Sequence, residues 1–260
     1  MSAQLTDTDI DSAKRALKLL DLTDLNDGCR EDHIEILIQK ALTPHGPVAA
    51  ICVWPQFVTL AKSRLKGKGV KVATVINFPK GGDDIERAIE DTAEAIDDGA
   101  DEIDLVMPYR AFLSGDALTV RSMIGEVRDE IDDAGRLKVI LETGMFPDQI
   151  SIRKAADLAI EAGADFIKTS TGKTPVSATP EAVKTMLEAI KASERTVGLK
   201  PSGGIRTLSD AKLYLGLVDE ALGPVWASPG TFRFGASGLY DVLISVIEGH
   251  PAVVSVKAPY

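Results

Sequence analysis

Eight short apolar runs recur along the chain, and their spacing constrains the fold more than any other feature. Consecutive runs start about 22 to 36 residues apart, which is the length expected of a strand–helix–strand unit. The runs are apolar almost throughout rather than alternating, as is typical of parallel strands that are covered on both faces. They occupy residues 19–23, 49–54, 72–76, 102–107, 138–143, 166–171, 197–202 and 232–237.

The segments between these runs have helical patterns. Residues 83–97 place isoleucine and alanine at helical spacing, with charged residues on the opposite face. Residues 147–163 open with a proline and end with a glycine, while residues 179–193 combine a threonine cap with a proline in the first turn. We therefore expect helices that alternate with the strands.

Eight strands that alternate with helices predict an α/β fold, the (β/α)8 or TIM barrel. No linker or low-complexity segment divides the chain, so we expect a single domain over residues 1–260, with a mobile C-terminal tail from about residue 250. A doubly wound open sheet is the alternative. It needs fewer strands, and no GxGxxG fingerprint follows the first run.

Composition excludes several classes of partner. The formal net charge of −10 disfavours nucleic acid, because phosphate backbones need a basic surface. No apolar run approaches the roughly 18 residues of a membrane span, and the N-terminus lacks the apolar core of a signal peptide. We therefore expect a cytoplasmic protein. A small anionic substrate remains compatible with this charge, since a local pocket can be positive.

The cysteines and histidines do not form a metal-binding motif. Cys29 and Cys52 are the only cysteines and make no CxxC pair, and the three histidines are far apart and show no ligand spacing. We expect neither a disulfide framework nor a catalytic metal.

Three charged residues interrupt the apolar runs. Asp104, Lys168 and Lys200 lie on the predicted fourth, sixth and seventh strands. Catalytic groups of such barrels stand at the C-terminal ends of the strands, where side chains of neighbouring strands converge. We expect the two lysines to lie side by side with the aspartate opposite.

A lysine in this position acquires reactivity from its surroundings. Its unperturbed pKa is roughly 10.4, so it is protonated at neutral pH. Burial and the neighbouring Lys200 both disfavour the charged form of Lys168. The neutral amine can attack a carbonyl and form an iminium, an electron sink for carbon–carbon cleavage without a metal. The structural alternatives are that Lys168 extends to solvent or forms an ion pair with Asp104.

Two glycine-containing loops follow the seventh and eighth strands. Gly203 and Gly204 permit a tight turn ahead of a helix, and Gly235 and Ser237 lie between the last strand and the last helix. Loops after strands 7 and 8 are the usual phosphate site of these barrels. The alternative is that these glycines only make turns.

With these residues in view, the chain resembles the deoxyribose-phosphate aldolases, the metal-free class I aldolase family. The resemblance covers nearly the whole chain, and "GADFIKTSTGK" and "GLKPSGGIRT" are its most specific segments. The other matching segments are "ALKLLDLTDLND", "AAICVWP", "ATVINFPKGGDDI", "GADEIDLVMPYRA", "LKVILETG" and "RFGAS".

The resemblance implies reversible cleavage of 2-deoxy-D-ribose 5-phosphate to D-glyceraldehyde 3-phosphate and acetaldehyde, without a cofactor. It implies that Lys168 is the Schiff-base nucleophile, that Lys200 perturbs it and that Asp104 transfers protons. The family pattern also implies a set of residues that bind the substrate or support the lysines: Asp21, Thr23, Thr171, Lys173, Gly203, Gly204, Gly235 and Ser237.

Two accessory residues and the assembly state follow from the same resemblance. Tyr260 matches a C-terminal tyrosine that assists proton transfer in some relatives, and an inert tail is the alternative. Cys52 is either a small core residue, which we favour, or a thiol that traps an aldehyde by-product. The family also suggests a homodimer.

Two other functions fit the same pattern. A phosphosugar isomerase or synthase would use Asp104 as a base and form no imine. A catalytically silent sugar-phosphate binding protein would bind deoxyribose phosphate without releasing acetaldehyde. The presence of both lysines and the aspartate argues against the silent protein.

Overall fold

The computed structural model describes residues 6–250, and an eight-stranded sheet forms its centre. Each strand overlaps one of the eight apolar runs. β6 and β7 are short, so the polar second halves of their runs form loops, whereas in the last run Phe232 and Arg233 precede β8. The strands are Leu20–Asp24 (β1), Ala50–Val53 (β2), Lys71–Ile76 (β3), Glu102–Val106 (β4), Arg136–Ile140 (β5), Phe166–Lys168 (β6), Gly198–Lys200 (β7) and Phe234–Ala236 (β8).

Helices separate the strands. They are Asp7–Lys18 (α1), Glu31–Ala41 (α2), Val58–Leu65 (α3), Ile85–Asp97 (α4), Tyr109–Leu113 (α5), Ala117–Ile131 (α6), Gln149–Glu161 (α7), Pro180–Ala192 (α8), Leu208–Leu222 (α9) and Leu239–Ile247 (α10). No helix within residues 6–250 has the length and apolar character that a membrane span requires.

The helix boundaries follow local capping chemistry. The Thr179 side chain accepts the Ala182 N–H, and Pro180 occupies the first position of α8, as the sequence predicts. Helix α7 differs from the prediction at its start, because Asp148 accepts the Ser151 N–H at 2.8 Å and so caps the helix after Pro147.

The sheet closes into a barrel. Parallel pairing runs from β7 back to β1 and on to β8. Isolated parallel bridges join Leu199 to Phe232 and Ser202 to Gly235, and these connect β7 with the β8 region. The (β/α)8 barrel prediction is confirmed, and the doubly wound alternative is wrong.

One position inside the barrel requires glycine. A side-chain carbon on Gly198 would lie 2.3 Å from the Phe166 ring, which is far closer than atoms can pack. Phe166 and Gly198 are in register on β6 and β7, and the ring therefore fills the space that the glycine leaves. This packing lies two residues before Lys168 and Lys200, so it forms a layer beneath them.

Candidate active site

Strand register brings the three predicted catalytic residues together. Lys168 and Lys200 are direct partners in the β6–β7 pairing. Parallel strands place paired residues on the same face, so both amines point into the barrel. Each Nζ lies 2.7 Å from Oδ2 of Asp104, on β4. All three side chains are buried, and Lys168 is only 3 % exposed.

A second set of charged side chains lies against this centre. Lys138, on β5, places its Nζ 2.8 Å from Asp104 Oδ1 and 2.6 Å from Glu102 Oε2. Arg233 contacts Glu102 at 2.7 Å and Asp21 at 2.5 Å. These contacts join strands from opposite sides of the barrel into one buried ionic network.

Asp21 connects this set to Lys200. Its Oδ2 lies 2.6 Å from Lys200 Nζ, an ion-pair distance whose angles fall outside hydrogen-bond geometry. The same oxygen is 3.8 Å from Lys138 Nζ. Asp21 therefore supports the lysines, one of the two roles that the family pattern implies for it.

The network has more basic than acidic groups. It contains the four basic side chains Lys138, Lys168, Lys200 and Arg233 and the three carboxylates Asp21, Glu102 and Asp104. An unpaired buried charge is costly, so the network favours the loss of one proton. Lys168 is the candidate, because its only ion pair within residues 6–250 is to Asp104, which also contacts two other lysines.

The electrostatic environment shifts the pKa values of the two paired lysines in opposite directions. Burial lowers the pKa of Lys168, and the Lys200 charge lowers it further, against the opposing effect of Asp104. Burial would also lower the pKa of Lys200, but Asp104 and Asp21 together raise it above its ordinary value. Lys168 is therefore the more readily deprotonated amine, and Lys200 remains a cation.

The carboxylate between them stays ionised. Burial would raise the pKa of Asp104, but Lys138, Lys168 and Lys200 hold it well below its usual range. The pKa of Lys138 rises, because Asp104 and Glu102 outweigh its burial. The site thus holds a stable anion next to an amine that gives up its proton.

The two glycine loops meet at the same end of the barrel. The Gly203 N–H donates to the Gly235 carbonyl at 3.3 Å. Gly203 and Gly204 have φ values of +80° and +81°, a backbone conformation that favours glycine. A side-chain carbon on Gly203 would also lie 2.5 Å from Ser177 Oγ. Ser237 precedes Gly238, the N-cap of α10, which has no side-chain cap.

The remaining predicted binding residues make internal contacts. Lys173 Nζ donates to the Leu25 carbonyl at 2.9 Å and lies 3.4 Å from Asp27 Oδ1. The Thr23 hydroxyl donates to the backbone carbonyl of Asp21 at 2.9 Å. These contacts tie the β6 loop and the end of β1 together at the C-terminal face.

Thr171 is held by a buried carboxylate that sequence reasoning did not identify. Its hydroxyl donates to Glu142 Oε2 at 2.5 Å, and Thr174 Oγ1 donates to Oε1 at 3.1 Å. Glu142 follows β5 and adopts a left-handed conformation with φ of +60°. A glutamate held in this backbone conformation orients the β6 loop that carries Thr171.

Of the two predicted accessory residues, Cys52 lies in the part of the chain that the structure describes. Cys52 is fully buried in the barrel beside Ala73 and Val75. Burial raises its pKa to about 11, and the Asp104 charge acts in the same direction. The group is therefore a protonated thiol at neutral pH, as expected of a core cysteine. Tyr260 lies outside the described residues.

Sequence reasoning missed three members of the ionic network. Glu102, Lys138 and Arg233 stand at or near the starts of apolar runs, where a charged residue looks like the edge of a strand. A signal was available for Glu102, because residues two apart on a strand share a face and Glu102 precedes Asp104 by two. Arg233 had no comparable signal, since only barrel closure brings it to β4.

Together, the fold and the site define a (β/α)8-barrel enzyme with paired lysines and an aspartate at its C-terminal face. The model of the DeoC/LacD family aldolases matches residues 15–239. The chain is 50 % identical over 240 residues to a deoxyribose-phosphate aldolase from Agrobacterium fabrum, covering 92 % of this chain and 93 % of that protein. The chain belongs to the DeoC/LacD family of aldolases.

Solved structures give the same relationship. The aldolase QR15 superposes with a TM-score of 0.76 at 33 % identity, covering 90 % of this chain and 96 % of that one. A tetrameric deoxyribose phosphate aldolase from Aeropyrum pernix superposes with a TM-score of 0.75 at 26 % identity, covering 92 % and 97 %.

Proposed function

We propose that this enzyme is a class I aldolase that cleaves 2-deoxy-D-ribose 5-phosphate reversibly to D-glyceraldehyde 3-phosphate and acetaldehyde. The observation that carries the proposal is the position of Lys168, a buried amine that shares one carboxylate with two other lysines. The Agrobacterium fabrum relative supports the choice of substrate.

The first step is the attack of the neutral Lys168 amine on the aldehyde carbon of the open-chain sugar. The resulting carbinolamine loses water and becomes an iminium. Asp104 lies 2.7 Å from Lys168 Nζ and can accept a proton from the attacking amine. Lys200 touches the same carboxylate oxygen and compensates its negative charge.

The iminium then accepts the electrons of the breaking bond. A base removes the proton of the C3 hydroxyl, the C2–C3 bond breaks, and glyceraldehyde 3-phosphate leaves. The two electrons of that bond form an enamine on Lys168. Protonation of the enamine carbon followed by hydrolysis releases acetaldehyde and restores the free amine. Asp104 and Lys200, joined by their 2.7 Å contact, are the proposed proton-transfer pair.

The phosphate group of the substrate is proposed to bind at the loops after β7 and β8. Gly203 and Gly204 form a turn in which Gly204 is exposed, and the α10 N-terminus adds a positive dipole. Ser237 contributes a hydroxyl. Lys173, tied to the β1 loop by Leu25, supplies a positive charge at the same face of the barrel.

Borohydride trapping tests the covalent step. Reduction in the presence of deoxyribose 5-phosphate should fix a two-carbon or sugar-derived adduct on one lysine, and peptide mass mapping should locate it at Lys168. Lys138 and Lys200 are internal controls, because both are buried lysines in the same network. An adduct on either of them, or turnover without any adduct, would refute the assignment.

A coupled assay for acetaldehyde separates the proposed reaction from its rivals. An isomerase or synthase would convert the phosphosugar without releasing acetaldehyde, and a silent binding protein would leave the substrate unchanged. We expect acetaldehyde and glyceraldehyde 3-phosphate in equal amounts.

We also propose that residues 1–260 form one domain that works as a cytoplasmic homodimer. The barrel supports the first part, since its strands and helices span the described range without a break in the pattern. Light scattering of the purified protein tests the dimer. A tetramer, as in the Aeropyrum pernix enzyme, would refute it.

A further inference from the structure

The β1–α2 segment contains a cluster of metal-binding side chains that the proposed reaction does not use. Asp24 ends β1, Cys29 lies in the following loop, and His33 lies in the first turn of α2. One donor atom from each residue lies within 4.8 Å of the other two. A carboxylate, a thiol and an imidazole thus converge from three different positions of the backbone.

These three donors match the preferences of zinc. Zn²⁺ takes Cys sulfur at about 2.3 Å and His nitrogen or carboxylate oxygen at about 2.0–2.2 Å. Donors around one tetrahedral ion therefore lie on the order of 3.5 Å apart. The observed separations need only small side-chain movements to reach this value, and all three residues are half-buried rather than fully exposed.

The surroundings favour a cation. Residues 24–35 carry five acidic side chains, Asp24, Asp27, Glu31, Asp32 and Glu35, and one arginine, Arg30.

 The Arg30 guanidinium already lies 3.3 Å from His33 Nε2 and 3.0 Å from Asp32. Arg30 is 67 % exposed, so it can leave the cluster when a metal ion enters.

We propose that Asp24, Cys29 and His33 form a binding site for a zinc-type divalent ion, with a water molecule as the fourth ligand. Coordination converts the Cys29 thiol to a thiolate and releases its proton to solvent. A bound ion links the end of β1 to α2 and thereby fixes the loop whose Leu25 carbonyl holds Lys173. The site is separate from the reacting amine, so it is structural rather than catalytic.

Sequence spacing alone did not reveal this site. Cys29 and His33 are four residues apart, but no second Cys or His pair follows at the spacing of a zinc motif. Asp24 joins the cluster because the loop after β1 turns back toward the start of α2. The Cys29 N–H donates to the Asn26 carbonyl at 3.0 Å, and Asn26 in turn donates to Asp24 Oδ1 at 3.1 Å.

Titration of the metal-free full chain with Co²⁺ alone tests the proposal. A thiolate ligand gives a charge-transfer band in the near ultraviolet, and tetrahedral Co²⁺ absorbs in the visible. We expect both at one equivalent, and their loss on addition of Zn²⁺. Cys29→Ser should remove the charge-transfer band and weaken binding at least about tenfold. Cys52→Ala, which changes the other cysteine, should retain the band.

His33→Asn gives an independent measurement if Cys29→Ser does not fold, as judged by circular dichroism. It should keep the charge-transfer band and weaken Co²⁺ binding at least about tenfold, whereas His45→Asn should leave binding unchanged. Absence of the bands in the unmodified protein, or their persistence at full strength in Cys29→Ser, would overturn the proposal.

Discussion

The barrel holds two groups of buried charge that look alike and behave differently. The floor consists of Glu102, Lys138, Arg233 and Asp21, and the mouth consists of Asp104, Lys168 and Lys200. Both groups are buried, and both contain lysine beside carboxylate. In the floor, Lys138 contacts Glu102 at 2.6 Å as well as Asp104 at 2.8 Å. In the mouth, Asp104 is the one carboxylate that pairs with Lys168 among the described residues.

This difference shows that burial by itself does not make a lysine reactive. Lys138 and Lys168 are both buried, yet the pKa of Lys138 is raised and that of Lys168 is lowered. The number of carboxylates around each amine decides the direction. In the floor, two carboxylates balance two basic side chains. In the mouth, one carboxylate faces two lysines, so the surplus positive charge of the network lies there.

The largest expected effect is on turnover when Lys168 is removed. Lys168→Leu should lower kcat by on the order of 10⁴-fold or more, because loss of a covalent nucleophile removes the whole pathway. The free energy of unfolding should be unchanged or higher, since the variant removes a buried amine that has no carboxylate of its own. The acetaldehyde assay and urea unfolding measure the two quantities. Turnover within tenfold of the unmodified enzyme would contradict the role.

The second-largest effect on turnover is expected when the shared carboxylate of Asp104 is removed. Asp104→Asn should lower kcat by about 10²–10⁴-fold, the range for loss of a general acid–base group. It also leaves Lys200 and Lys138 with one fewer anion each, so the unfolding free energy should fall. A variant with normal kcat would show that Asp104 is a structural ion pair only.

The floor should respond to mutation mainly in stability. Lys138→Met leaves Glu102 with one partner fewer and should cost about 3–5 kcal/mol of unfolding free energy, as for other broken buried pairs. Lys168→Leu is the matched control, because it removes a buried lysine from the mouth of the same network. Equal destabilisation of the two variants would remove the distinction between floor and mouth.

The pH dependence of kcat/KM should report the pKa of the Lys168 amine in the free enzyme. The pKa of Lys168 is lowered, so the reactive neutral form increases as pH rises, and activity is lost as pH falls through that pKa. The acidic limb should therefore level off below the ordinary lysine value of about 10.4. Lys200→Met removes a cation that lowers this pKa and should move the limb to higher pH. A limb that stays in place would exclude coupling between the two lysines.

The smallest effect is expected at the edge of the mouth. Thr171→Val removes the hydroxyl that donates to Glu142. It should lower the free energy of unfolding by about 1–3 kcal/mol, because the buried carboxylate loses a hydrogen-bond partner. Thr174→Val is the control, since it removes the longer of the two contacts to the same carboxylate. Thermal unfolding measures both, and a larger loss in Thr174→Val would contradict this ranking.

Much of the site could be predicted because its charged residues lie within runs that are otherwise apolar, where they are easy to recognise in the sequence. Asp104, Lys168 and Lys200 each break an apolar run, and eight regular runs indicate a barrel that gathers strand ends. Glu142 could not be predicted in the same way. Its importance depends on a left-handed backbone and on contacts to the β6 loop, neither of which leaves a periodic pattern.

The sequence by itself determined the barrel, the order of its strands and the charged residues that point into it. Period and polarity carry that information, because a strand with both faces covered must be apolar and any exception stands out. Only the tertiary structure decided which amine gives up its proton. Arg233 reaches Glu102 across 131 residues of chain, and that closure completes the pairing of the floor. The pKa of a buried group depends on the charges within a few ångströms in space, and only the closed barrel sets those distances.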